Sequence, residues 1–185
     1  MPTLSAVLLA AGLSRRYGSN KLLAQVEGRP LYRRAFDALP AELFTPAVVV
    51  SGYNEILKVA AKSRYIPLEN SIPEAGQSLS VRLGLEAVAG VADAVLFAVC
   101  DQPWLTRGSV ERLIAAWRAH PGAICALGCG GERGNPVIFP RRYFPELARL
   151  SGDVGGGAVI RAHPEALLLV ETPARELQDL DRPLS

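Results

Sequence analysis

The sequence predicts an α/β protein of three layers, a mostly parallel sheet with helices on both faces, and three observations carry that expectation. Apolar runs of strand length alternate with amphipathic stretches of helical length along the 185 residues. The run at 94–99 is apolar without alternation, the pattern of a strand covered on both faces. A chain of this length, 49% hydrophobic, suits one compact domain that buries about 70% of its unfolded surface. With no internal repeat, linker or low-complexity segment, 1–185 reads as a single domain.

In chain order, the expected strands are 4–9, 47–51, 65–68, 94–99, 123–127, 136–139 and 166–170. Pro30 opens a helix to about residue 39, since proline suits the first turn, where its missing N–H is no loss, and Pro40 stops it. Further helices are expected at 54–62, 78–89, 109–118 and 141–150. In the helix at 109–118, Ser109 is the expected cap, with an apolar stripe of Val110, Leu113, Ile114 and Trp117 and with Arg112 and Arg118 in water.

Twenty Lys and Arg against eighteen Asp and Glu leave a net charge of +2, too little to argue for nucleic acid or a membrane as partner. The apolar run at 6–11 is far too short to span a bilayer and lacks the flanks of a signal peptide, so a cytoplasmic location is expected. Cys100, Cys125 and Cys129 are an odd set, read as reduced structural thiols. His120 and His163 each precede a proline in an expected turn, and no second cysteine pair completes a zinc set.

Ligands of open α/β sheets bind beyond the carboxyl ends of the strands. After the first strand comes Ala10-Ala11-Gly12-Leu13-Ser14-Arg15-Arg16-Tyr17-Gly18-Ser19-Asn20-Lys21. Small residues at 10–12 let backbone approach a ligand, and exposed N–H groups in such a turn make an anion-binding concavity. Arg15, Arg16 and Lys21 add three cations, suiting a triphosphate. The spacing of Gly12, Gly18 and Lys21 matches neither the Walker phosphate loop nor the dinucleotide Gly-x-Gly-x-x-Gly fingerprint.

The fourth strand delivers Asp101 at its carboxyl edge, in Asp101-Gln102-Pro103. A carboxylate there suits Mg²⁺, with Mn²⁺ as the possible substitute, because such ions rely on one or two carboxylates plus substrate phosphates and water. Helix capping is the competing role for Asp101, but Thr106 and Ser109 are nearer caps. The run from Gly76 to Leu85 sets Ser78 and Ser80 at a helix start, where hydroxyls can read a base edge or ribose.

Taken together these segments resemble the molybdenum cofactor cytidylyltransferase branch of the nucleotidyltransferases, which have a Rossmann-like fold. Leu9-Ala10-Ala11-Gly12, Arg15-Arg16-Tyr17-Gly18 and Lys21-Leu22-Leu23 are similar to that family's first loop. Asp101-Gln102-Pro103 resembles its metal-binding Asp-Gln-Pro, and Arg133-Gly134-Asn135-Pro136 its Arg-Gly-(His or Asn)-Pro. Ser80-Val81 and Gly84-Leu85 are similar to the base-binding helix start of methylerythritol-phosphate cytidylyltransferases. Asp179-Leu180-Asp181-Arg182-Pro183 resembles an Asp-Ile-Asp-Thr-Pro element whose second acid helps hold the metal.

The resemblance implies transfer of CMP from CTP to molybdenum-bearing molybdopterin with release of pyrophosphate, the product passing to a molybdoenzyme. It implies Arg16, Lys21 and Asp101 as catalytic residues and Asp101 with Asp181 as metal ligands. Leu9, Ala10, Ala11, Gly12, Arg15, Gly52, Ser78 and Ser80 are the expected nucleotide contacts, and Gly134, Asn135 and Asp153 the acceptor contacts. Relatives that use GTP typically have Gly where Ala11 stands. After Gly152-Asp153 the family's Arg-Gly-Ala-Arg is replaced by Val154-Gly155-Gly156-Gly157. A transferase for a sugar or polyol phosphate, or a maturation partner that binds without turnover, are the rival readings.

Overall fold

The computed structural model describes residues 2–12 and 20–180. Its main sheet has seven strands: β1 (Leu4–Ala10), β4 (Ala47–Ser51), β5 (Ile66–Glu69), β6 (Ala94–Val99), β7 (Ile124–Cys129), β8 (Glu132–Pro140) and β9 (Leu167–Glu171). A separate two-stranded hairpin, β2 (Gln25–Val26) with β3 (Arg29–Pro30), follows the first loop. The helices are α1 (Leu31–Ala38), α2 (Asn54–Lys62), α3 (Gln77–Val88), α4 (Arg107–Ala119), α5 (Phe144–Leu147) and α6 (Gly157–Ala162).

Strand order is β5-β4-β1-β6-β8-β7-β9. All neighbours pair in parallel except at β8, which is antiparallel to both β6 and β7. The reversal is local in origin: Gly130 and Gly131, at φ 59° and 86°, close a two-residue hairpin between β7 and β8 that needs positive φ at both positions. The chain runs from β1 outward to β4 and β5, then returns through α3 to place β6 on the other side of β1. β1 and β6 therefore flank the topological switch point, where open α/β sheets carry their ligands.

The central strands feed two cores. Leu4, Ala6 and Leu8 of β1, with Ala94, Leu96 and Ala98 of β6, face α1, α2 and α4, while Val7, Val95 and Phe97 face α3, α5 and α6. The stripe Val110, Leu113, Ile114 and Trp117 is buried as expected, and burial of a side chain of this kind contributes roughly 1.5–3 kcal/mol. The cap of α4 is Thr106, whose hydroxyl accepts from the Ser109 N–H; Ser109 is inside the helix and fully buried, hydrogen-bonded to Thr172 at 2.9 Å. Pro30 stands at the N-cap of α1, one residue before the helix, because it also closes the hairpin.

The helix expected at 141–150 is a 3₁₀ turn followed by the four-residue α5. The short α6 was not expected; its Gly-rich start hides the apolar pair Val159 and Ile160 that anchors it. Among the described residues no helix is long and apolar enough to cross a membrane.

Helix α3 lies close on the sheet at Gly84, where a Cβ would fall 2.2 Å from Val7 Cγ1. Gly84→Val is expected to destabilise the protein by about 1–3 kcal/mol through overpacking. A lower urea midpoint in equilibrium unfolding checks this, and an unchanged midpoint would show that the helix can lift off without cost.

Candidate active site

A cleft of about 500 Å³ opens beyond the carboxyl ends of β1 and β6. Of the residues singled out in the sequence, Leu9, Ala11, Gly12, Lys21, Ser80, Asp101 and Asp153 line it. Parallel pairing of Leu9 with Val99 sets the two strand ends level, and the Cys100 N–H donates to the Leu9 carbonyl at 3.2 Å, so the first loop and the Asp101 loop start side by side.

Lys21 Nζ donates to Asp101 Oδ2 at 2.7 Å, with side-chain exposures of 16% and 21%. The other carboxylate oxygen, Asp101 Oδ1, is buried and has no hydrogen-bond partner among the described residues. An orphaned carboxylate oxygen costs on the order of 1–3 kcal/mol or more, so it is a strong site for a cation or a donor. Among the described residues no three His, Cys, Asp or Glu side chains gather as a metal cage. The donor set fits an ion such as Mg²⁺, which takes one or two carboxylates and completes its shell with phosphate oxygens and water.

The Asp101 loop is fastened from two sides. Arg34 donates from Nε to the Pro103 carbonyl at 2.8 Å and from Nη1 to the Val26 carbonyl at 3.1 Å, tying the loop to the β2–β3 hairpin. The segment at 173–180 holds the other side: the Leu180 N–H donates to the Asp101 carbonyl at 2.8 Å, and Gln102 Nε2 to the Leu177 carbonyl at 3.2 Å. Glu176 accepts from both the N–H and the hydroxyl of Thr106. The guanidiniums of Arg34 and Arg175 both lie over the Trp104 ring, at 5.3 and 4.1 Å from its centroid.

On the opposite wall, Ser80 Oγ accepts from Asn70 Nδ2 at 2.9 Å, which leaves the hydroxyl proton of Ser80 to donate. Asn70 is itself buried and accepts from the Ile72 N–H. The Gln77 N–H, at the start of α3, donates to Asp153 Oδ1 at 3.3 Å, and the Ser78 N–H to the Gly152 carbonyl at 3.3 Å. The floor of the first loop is set by Ser51, whose hydroxyl donates to the Ala10 carbonyl, and by Tyr53, whose hydroxyl donates to the Gly12 carbonyl at 3.0 Å.

Other expected contacts stand outside the cleft lining. Ala10 points into the core below it, Ser78 is 1% exposed, and Gly52 packs on the Asn70 carbonyl, 3.1 Å from where a Cβ would be. Asn135 lines a side pocket of about 30 Å³ that shares Leu9, Gln77 and Val99 with the cleft. Gly134 packs against Leu177, which a Cβ would meet at 2.7 Å. Arg15, Arg16 and Asp181 lie outside the described residues. Sequence reading missed Asn70, Gln77, Tyr53 and Arg34, each an ordinary polar residue until the fold brings it to a loop. Cys100 and Cys125 are buried and free: burial, with the Asp101 charge adding to it, drives the Cys100 thiol far up, and burial pushes Cys125 up to about 11. Both stay neutral thiols near neutral pH, consistent with packing roles.

An open, mostly parallel sheet with helices on both faces and a cleft at its switch point, where a lysine stands beside a carboxylate, makes this a Rossmann-like α/β protein with a candidate ligand cleft. The MobA-like NTP transferase domain profile matches residues 6–167, and the chain belongs to that family. The bifunctional enzyme IspD/IspF of Rhodospirillum rubrum is 32% identical over 151 residues, 74% of this chain. The chain spans only 39% of that relative's length. Nicotine blue oxidoreductase of Paenarthrobacter nicotinovorans is 29% identical, covering 92% of this chain and 88% of its own. Molybdenum cofactor guanylyltransferase of Rhodobacter capsulatus is 30% identical, covering 63% of this chain and 60% of its own. Rv0371c from Mycobacterium tuberculosis has the same fold, with a TM-score of 0.79 at 24% identity and coverage of 97% and 94%.

One wall of the cleft depends on Gly76, which has φ 90° and would place a Cβ 2.5 Å from the Gly152 backbone. Gly76→Ala should push the 152–153 segment away from α3 and weaken nucleotide affinity by about tenfold, a change of roughly 1.4 kcal/mol. Calorimetric titration with CTP checks this; undiminished affinity would detach that wall from binding.

Proposed function

We propose that the protein transfers CMP from CTP to a phosphate-bearing acceptor of the molybdopterin class, releasing pyrophosphate in a Mg²⁺-dependent reaction. The observation that carries the reading is the Lys21–Asp101 pair at the switch point, with one buried carboxylate oxygen of Asp101 left over. Each is the other's counter-ion, and a triphosphate with its divalent cation offers both a replacement of the right sign. Mg²⁺ at Asp101 supplies charge neutralisation at the phosphate oxygens when bound. Mn²⁺ suits the same oxygen ligands.

Lys21, from the first loop, balances the charge that grows on the departing pyrophosphate. The loop backbone at 10–12, held by Ser51 and Tyr53, keeps its groups aimed at the nucleotide. Ser80, fixed by Asn70, and Ala11 are the proposed base contacts, and Asn135 and Asp153 the acceptor contacts. The acceptor phosphate oxygen attacks the α-phosphorus in line with the leaving pyrophosphate, and no protein nucleophile is needed. Arg16 is retained as a triphosphate ligand and Asp181 as a second metal ligand; the bond from the Leu180 N–H to the Asp101 carbonyl supports the latter. The cytoplasm is the proposed site of action, with a molybdoenzyme as recipient of the product.

Asp101→Asn should cost about 100-fold in turnover, roughly 2.7 kcal/mol of transition-state stabilisation, without loss of fold. Lys21→Ala should impair both CTP affinity and turnover, with Lys62→Ala on α2 as the unaffected control. Pyrophosphate release with purified molybdenum cofactor as acceptor is the assay, and normal turnover by Asp101→Asn at ordinary Mg²⁺ would sink the reading.

The base assignment is tested separately. A methyl in a pocket is worth about 1–3 kcal/mol of discrimination, so Ala11→Gly should narrow a preference for CTP over GTP without inverting it. Comparison of kcat/KM for the two nucleotides in both proteins decides this, and a native preference for GTP overturns the cytidylyl assignment.

A further inference from the structure

Two guanidinium groups meet beside the cleft, and among the described residues no carboxylate forms an ion pair with either. Arg133 of β8 and Arg161 of α6 converge on Gly157: a Cβ there would lie 3.2 Å from Arg133 Nη2 and 3.5 Å from Arg161 Nη1. Several other surface arginines likewise make no ion pair among the described residues; what sets these two apart is that they meet each other beside a pocket. Both residues are exposed overall, and partial desolvation first, with the charge of Arg161 second, holds the Arg133 guanidinium below its ordinary value.

The backbone beside the pair is closely packed. A side chain at Gly155 would strike Gln77 Oε1 at 2.5 Å, and one at Gly156 would strike Phe139 at 2.8 Å, so the backbone at 155–157 lies flat on the start of α3 and on β8. The segment at 154–157 brings no charge of its own. Arg133 and Gly157 line the side pocket, which shares Leu9, Gln77 and Val99 with the nucleotide cleft. An anion drawn here is therefore held next to whatever occupies the cleft. Guanidiniums bind phosphate through paired N–H donors, and two of them match a dianion.

We propose that Arg133 and Arg161 form an anion subsite for the acceptor substrate and take its phosphate monoester group. The identity of the ligand as acceptor rests on the nucleotidyltransfer reading; the capture of a phosphate dianion does not.

The probe is inorganic phosphate, titrated by calorimetry into the Lys21→Ala protein so that the triphosphate loop contributes little. Added in that background, Arg133→Gln and Arg161→Gln should each weaken phosphate binding by about tenfold, while Arg133→Lys loses less and Arg118→Gln on α4 loses nothing. Saturating CTP should leave phosphate binding in place, because the subsite is not the triphosphate cradle. In the turnover assay with purified molybdenum cofactor and Lys21 intact, Arg133→Gln should raise the acceptor KM and leave the CTP KM unchanged. Phosphate affinity indifferent to both arginines, phosphate displaced by CTP, or a rise confined to the CTP KM would each overturn the subsite. Normal turnover by Asp101→Asn would instead remove the function proposed for the cleft, and the phosphate titrations would still decide whether the arginine pair binds an anion.

Discussion

Everything at the candidate site depends on the parallel pairing of β1 with β6. Because the chain leaves β1 toward β4 and comes back to β6 on the other side, the two strand ends are neighbours whose following loops diverge. Backbone hydrogen bonding sets Leu9 opposite Val99, and with it the heights of Gly12 and Asp101. A slip of one residue would turn Asp101 toward the opposite face of the sheet. The two apolar cores, one on each face, make such a slip prohibitive.

On that frame the Asp101 loop combines a charge cost with a rigid mount. One oxygen of the carboxylate is paired with Lys21 and the other is buried with no partner among the described residues, while Arg34 on one side and the segment at 173–180 on the other hold the backbone. An unsatisfied charged oxygen persists only where its surroundings leave it no easier conformation, and its position at a strand end in a cleft makes it a candidate ligand site. Trp104, in contact with the guanidiniums of Arg34 and Arg175, joins the two halves of the mount. The chemistry proposed for the cleft needs little from the protein beyond charges held in place, and such a mount provides it.

Much of the candidate site was legible in the chain because it is local. The loop after β1 announces itself by small residues and cations in sequence, and Asp101 by standing at the end of an apolar run. Helix positions followed from periodicity, as the buried stripe of α4 shows. The failures also have a local cause: the turn at 141–143 and the short α5 read as one long helix, since amphipathic spacing cannot register where a 3₁₀ turn changes the angle between residues. Thr106, rather than Ser109, caps α4, because two hydroxyls three residues apart present the same local signal and the chain direction entering the helix decides between them.

By itself, then, the sequence determined most strands and helices of the main sheet, that its central strand at 94–99 is covered on both faces, and which two loops to single out as the candidate site, since these properties depend on residues within one or two turns of each other. Only the tertiary structure decided that β8 runs antiparallel in a mostly parallel sheet, that Asn70 holds Ser80, that Asp153 docks on the start of α3, and that Arg133 and Arg161 share a corner. Those relations join side chains from separate elements, and no local pattern encodes them. They arise from packing the sheet between its two helical layers, which brings the elements together only when the whole domain closes.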